Sequence, residues 1–173
     1  ANGTSALHNR FGPLINKFPV VGRINNYDIT NFKLHVGDKT NIWFNGANKG
    51  LIKRENIPNE VIVLIPFDIL KNKAERVRNR TPYRLSLNPN QYKIINKNTM
   101  RKIEEQTQIY RPTTGLNSIL WCLKNYNQVV IYGFDFFITS GNHYYDNNFA
   151  KFLTNSKIIN RGKKHDNIKE KNY

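Results

Sequence analysis

The run EVIVLIPF at 60–67 constrains this chain most. Five aliphatic residues follow one another with no polar break. A strand that lacks in–out alternation is covered on both faces, which is the pattern of a parallel sheet flanked by helices. QVVIYGFDFF at 128–137 reads as a second central strand. FPVVGRI at 18–24 and TNIWF at 40–44 read as shorter extended runs, the latter closed by the turn signal Asn45-Gly46. Helical patterns lie between them. Residues 98–108 carry Met100 and Ile103, with Pro112 soon after. In 116–125 the apolar residues 116, 119, 120 and 123 follow the spacing of one helix face. Strands alternating with helices predict an α/β sandwich with a mainly parallel sheet. Such sheets take ligands beyond the carboxyl ends of their strands. Asn2-Gly3, Asn25-Asn26 and Asn45-Gly46 all fall at such ends. Residues 1–5 read as the turn after a strand, so a first strand is expected ahead of Ala1. The tail from Lys151 reads as a loop with a short terminal helix.

With 173 residues, 39% of them hydrophobic, the chain has the size and core of one domain spanning 1–173. No apolar run approaches the roughly 18 residues of a membrane-spanning helix. Cys122 is the sole cysteine, so no internal disulfide forms, and a reducing, cytoplasmic setting is expected. The net charge of +15 favours polyanionic partners: nucleic acid, anionic lipid or a phosphorylated small molecule. Abundant Asn, Lys and Ile give composition an equal claim on that charge.

Three constellations could carry chemistry. Pro112-Thr113-Thr114-Gly115 opens the second helix, where unpaired N–H groups and a partial positive charge suit an anion; an ordinary threonine cap is the plain alternative. His143 in NHYYD follows the predicted strand at 128–137 and could neutralise a leaving phosphate, or simply close the core. His165 in HDNIKE could remove a proton from a hydroxyl near neutral pH. Glu170 follows five residues on, about 140° around a helix, so it would not face that histidine. Phosphate loops, dinucleotide fingerprints, acidic metal pairs and nucleophile elbows are absent from the sequence.

The order of these signals is more specific than any one of them. ANGTSAL, FPVVGRINNYDI, HVGDKTNIWFNG, RPTTGLNSILWCLKNYNQVVIYGFD, HYYD and HxxxxE succeed one another in a way that resembles the eukaryotic-type sialyltransferases, glycosyltransferase family 29. The resemblance covers nearly the whole chain, with a poor match from about 50 to 105. Residues from Asn2 to about Trp43 look like the large sialyl motif, with Arg23-Ile24-Asn25 for its Arg-x-Asn. Pro112 to Phe134 looks like the small motif, 143–146 like the third, and His165 with Glu170 like the very small one.

The resemblance implies a Rossmann-like three-layer sandwich, a variant of the GT-A type. It implies an inverting, metal-independent transferase that moves an acidic sugar, typically sialic acid, from a CMP-sugar to a glycan or glycolipid hydroxyl. By carry-over, Asn2, Gly3, Asn25, Thr113, Thr114, Gly115, Gly133 and Phe134 would bind the donor. His143 would stabilise the departing phosphate and His165 would be the general base. No metal or other cofactor is expected. The animal members' disulfide has no counterpart, since Tyr126 holds one cysteine position; this suggests a bacterial or viral relative, cytoplasmic or at the inner face of a membrane, with peripheral membrane association compatible with the basic surface, and the Golgi lumen as the less favoured alternative for a eukaryotic chain. Asp146 stands where the family usually has Glu. Two other readings stay open: a CMP-Kdo transferase acting on bacterial surface glycans, and a basic nucleic-acid-binding module without catalysis, although no nucleic-acid partner is expected from the resemblance.

Overall fold

A computed structural model describes residues 1–136, 142–156 and 165–173. Its centre is a four-stranded, fully parallel sheet in sequence order: β1 (Gly22–Ile24), β2 (Ile42–Asn45), β3 (Glu60–Val63) and β4 (Lys93–Ile94). Register is fixed by pairs such as Arg23 with Trp43, Phe44 with Ile62, and Val63 with Ile94. All four residues of β2 are buried, as a strand flanked on both sides and covered on both faces should be. β3 stops before Pro66, which has no N–H to give a ladder and instead caps α3 (Phe67–Asn72). Phe67, expected in the strand, therefore opens a helix.

The remaining helices are α1 (Gly12–Lys17), α2 (Lys33–Val36), α4 (Ala74–Leu85), α5 (Lys97–Thr107), α6 (Thr114–Asn125), α7 (Asn148–Asn155) and α8 (Asn167–Asn172). α5 buries Met100, Ile103 and Thr107, and Asn96 caps it by accepting from the Thr99 N–H at 2.9 Å. α6 begins two residues before its predicted start because Thr113 caps it. It packs on β1 and β2, where Trp121 meets Phe44 edge to face at 5.4 Å. Trp43, Phe44 and Ile62 sit at the heart of the core.

One expected element is corrected. From Gln128 to Phe136 the chain forms no strand. It lines an apolar groove of about 370 Å³ together with the free edge of β1, and its carbonyls at Tyr132 and Gly133 accept from the Ala1 amine and the Gly3 N–H rather than from a strand. Val130 and Ile131 are 62% and 52% exposed, so the apolar run is not the doubly covered strand its composition predicts. The tail also differs: α7 already spans the start of the predicted loop, while the terminal helix is α8.

Candidate active site

One polar cavity of about 360 Å³ opens at the carboxyl end of the sheet. The turn after β1, the first residues of the chain, the start of α6, the 133–136 turn, the 142–143 loop and the start of α8 enclose it. Asn2, Gly3, Asn25, Thr113, Thr114, Gly115, Gly133, Phe134, His143 and His165 all line it. Residues more than a hundred positions apart are thus brought to one wall.

Local physics explains each placement. Asn2 is buried, and its Nδ2 donates to Ile24 O at 2.9 Å and Asn26 O at 2.6 Å, which ties the chain start to the end of β1. Asn25 takes a left-handed turn at φ 50°. Its Oδ1 accepts from the Gly46 N–H at 3.2 Å, so the amide Nδ2 is its ligand-competent end. Gly3 donates its N–H to Gly133 O at 2.8 Å. A Cβ on Gly3 would run into the Asp135 carboxyl group and displace it, so glycine is what lets that carboxylate come so close. Gly133 has φ +68°, and a Cβ there would press on Ala6 and the Ala1 carbonyl.

Asp135, isolated in sequence, is a structural clamp. Its carboxylate accepts from the Ser5 N–H at 3.1 Å, from Thr4 Oγ1 at 3.3 Å and from Ser5 Oγ. It joins the first and second motif regions without a disulfide. No sequence signal marked it, since its partners lie 130 and 131 positions away.

His143 donates its backbone N–H to Asp146 Oδ2 at 2.7 Å, and its ring stacks on Tyr145 at 5.2 Å. Tyr144 beneath it is 3% exposed. Its hydroxyl donates to Asp28 O at 2.7 Å and accepts from the Asp28 N–H at 3.1 Å. Burial pushes that phenol up to about 12.

His165 and Glu170 do not pair, as their spacing predicts. Glu170, 3% exposed, reaches the cap of α6: Oε1 accepts from the Thr113 N–H and Oε2 from Thr113 Oγ1, both at 2.7 Å. Thr113 lines the cavity with both donors engaged, so Thr114 and Gly115 carry the open backbone N–H groups of the helix start. His165 Nδ1 lies 2.7 Å from the carbonyl of Arg111. A carbonyl only accepts, so Nδ1 carries the proton of the neutral ring and Nε2 keeps its lone pair. Among the described residues, no group of three His, Cys, Asp or Glu side chains is placed to hold a metal ion.

A parallel sheet with a polar cavity at its strand ends, a capped helix start and two histidines defines an α/β protein with a ligand crevice at the carboxyl end of its sheet. The profile of glycosyltransferase family 29 (sialyltransferase) matches residues 1–173, and the chain belongs to that family. It is 30% identical over 183 residues to the mouse (Mus musculus) CMP-N-acetylneuraminate-beta-galactosamide-alpha-2,3-sialyltransferase 4, covering 90% of this chain and 55% of the relative. The rat (Rattus norvegicus) protein of the same name is 29% identical over 159 residues, covering 78% and 48%. A mammalian sialyltransferase crystallised with Gal-beta-1-3GalNAc-ortho-nitrophenol superposes with a TM-score of 0.69 at 19% identity, over 99% of this chain and 61% of that one. The chain spans about half the length of the curated relatives it matches.

These relatives correct the cytoplasmic placement read from the single cysteine. They are Golgi-type, lumenal sialyltransferases. The lone cysteine shows only that no disulfide forms within this sequence; it does not report a compartment. Among the described residues no helix is long and apolar enough to cross a membrane.

Proposed function

We propose that this chain carries the donor site and catalytic base of a sialyltransferase that moves sialic acid from CMP-sialic acid to a glycan hydroxyl, with inversion and without a metal. The observation that carries the reading is the convergence of all ten candidate residues on one cavity, with the His165 tautomer fixed. The relatives' printed names suggest a β-galactoside acceptor. Asn2 and Asn25 would frame the cytidine nucleotide. Thr114, Gly115 and the helix start would face the donor's anionic groups.

In the reaction, Nε2 of His165 takes the proton of the acceptor hydroxyl. The acceptor oxygen bonds to the anomeric carbon as the bond from that carbon to the phosphate oxygen breaks. CMP leaves with the bonding electrons, and inversion follows from attack opposite the leaving group. His143 and the α6 N-terminus would offset the charge growing on the single phosphate, the role a divalent ion plays for nucleoside diphosphates. A lone pair on Nε2 is the requirement for the first step, and the Arg111 carbonyl keeps it free by accepting the Nδ1–H.

The test pairs binding with transfer. CMP should raise the melting temperature while AMP and UMP do so less, because a ligand of the folded state stabilises by mass action. His165→Ala should cut transfer by about 10²-fold or more while the CMP shift persists. Transfer that survives the substitution removes His165 from the base role.

A further inference from the structure

Both histidine and glutamate of the last motif fasten to one short stretch, 111–113. Arg111 is its unusual member. It has φ +52° and immediately precedes Pro112. L-residues avoid that region, and a following proline pushes its predecessor toward extended backbone. Something must hold Arg111 there.

The side chain supplies the hold. Arg111 Nε donates to Asp68 Oδ1 at 3.0 Å, and Nη2 donates to Oδ2, a bidentate fork. The Tyr110 hydroxyl donates to the same carboxylate at 3.3 Å. Asp68 stands in the first turn of α3, and Phe67 at the head of that helix donates its N–H to Glu104 Oε1 of α5 at 2.8 Å. α3 and α5 pack against each other, so the fork is anchored to a rigid pair. The guanidinium holds the Asp68 carboxyl below the usual carboxylate range, in keeping with a formed pair. At the far end of the same residue, the Arg111 carbonyl meets His165 Nδ1.

We propose that Asp68 is a positioning residue for the transfer reaction: through its fork on Arg111 it fixes a left-handed backbone turn whose carbonyl selects the Nδ1–H tautomer of His165. This rests on the reading of His165 as the base. Asp68 lies in the 50–105 stretch that the family motifs do not cover, so no motif points to it. The role belongs to two ends of one arginine, the guanidinium and the backbone carbonyl.

The test reads the tautomer directly, by imidazole ¹⁵N chemical shifts of His165 in the intact chain at neutral pH, beside kcat and KM. The original chain should show Nδ1 protonated. Asp68→Ala, and the gentler Asp68→Asn where alanine impairs folding, should move His165 toward the Nε2–H form. They should lower kcat roughly tenfold to a hundredfold with little change in donor KM. Adding Arg111→Gly to Asp68→Ala should return part of the Nδ1–H population, since glycine adopts the left-handed turn without a fork. A tautomer unmoved by loss of Asp68, or no recovery with glycine, overturns the proposal. Because the ¹⁵N readout needs no turnover, it stands apart from the base assignment: a moved tautomer supports the coupling even if His165→Ala still transfers, an outcome that would sink only the base role.

Discussion

At the scale of single residues, the cavity is built by polar groups that hold one another before any ligand arrives. Glu170 shows this most clearly. It is an anion at the start of α6, where an anion belongs, and it satisfies two donors of Thr113 at once. Glu170→Ala would leave those donors unpaired beside a buried wall and should destabilise the fold by about 1–3 kcal/mol, read by urea denaturation. An unchanged midpoint would mean that water replaces the carboxylate at no cost. Cys122 gives a second residue-scale expectation. Burial pushes its thiol up to about 11, and Glu60 adds to the shift. At pH 8 the native chain should therefore react with iodoacetamide roughly two orders of magnitude more slowly than the urea-unfolded chain. Equal rates would place the thiol in open solvent. The residues that sequence order suggests for the site all reach its wall, because each sits at a turn or cap whose local chemistry fixes its place. Asp135, Glu170 as a cap clamp, and Asp68 were not legible as such. Their partners lie 130, 57 and 43 positions away, and no local pattern records a contact at that separation.

Elements differ in how well their composition foretells them. β3 and α6 were legible because burial imposes a period, or its absence, on a long enough run. β4 has two residues, one exposed, and leaves no such trace. α4 carries Pro82 inside it and a strongly polar surface, so its two buried residues, Thr81 and Leu85, and the half-buried Val77 are easily missed. The run at 128–136 errs the other way, since apolar composition cannot supply a partner strand. The α3–α5 pair also sets a pH response. Asp68 is held below its usual range, chiefly by hydrogen bonds from Arg111, so the pair's stabilisation is present above that range and lost as pH falls through it. Glu104, on α5 nearby, is raised by burial, and its ionisation opposes folding as pH rises through its own range. Tyr110 and Arg111 are the other charged or titratable groups facing Asp68. Asp68→Asn should flatten the acid limb of a plot of unfolding free energy against pH. An acid limb as steep as the parent's would show that other carboxylates set it.

Over the whole molecule, charge is the least balanced quantity. Twenty-seven Lys and Arg face twelve Asp and Glu. Among the described residues the ion pairs are Lys33–Asp38, Arg101–Glu105 and Arg111–Asp68, and only the last involves two mostly buried side chains. The first two are exposed pairs of the kind that contribute little. On α4, Glu75 is the one acid against Arg76, Arg78, Arg80 and Arg84. A compact body with this excess repels itself, and unfolding relieves the repulsion. Salt screens such exposed charges over about 8–10 Å at physiological strength. Raising sodium chloride from about 10 to 150 mM should therefore raise the melting temperature by a few degrees. The Asp68–Arg111 fork, being partly buried, should be screened less than the surface, so Asp68→Asn should melt lower than the parent at both salt levels. A melting temperature that falls as salt is added would mean that attractive pairs outweigh the excess positive charge. The surface would then be organised around contacts rather than around repulsion.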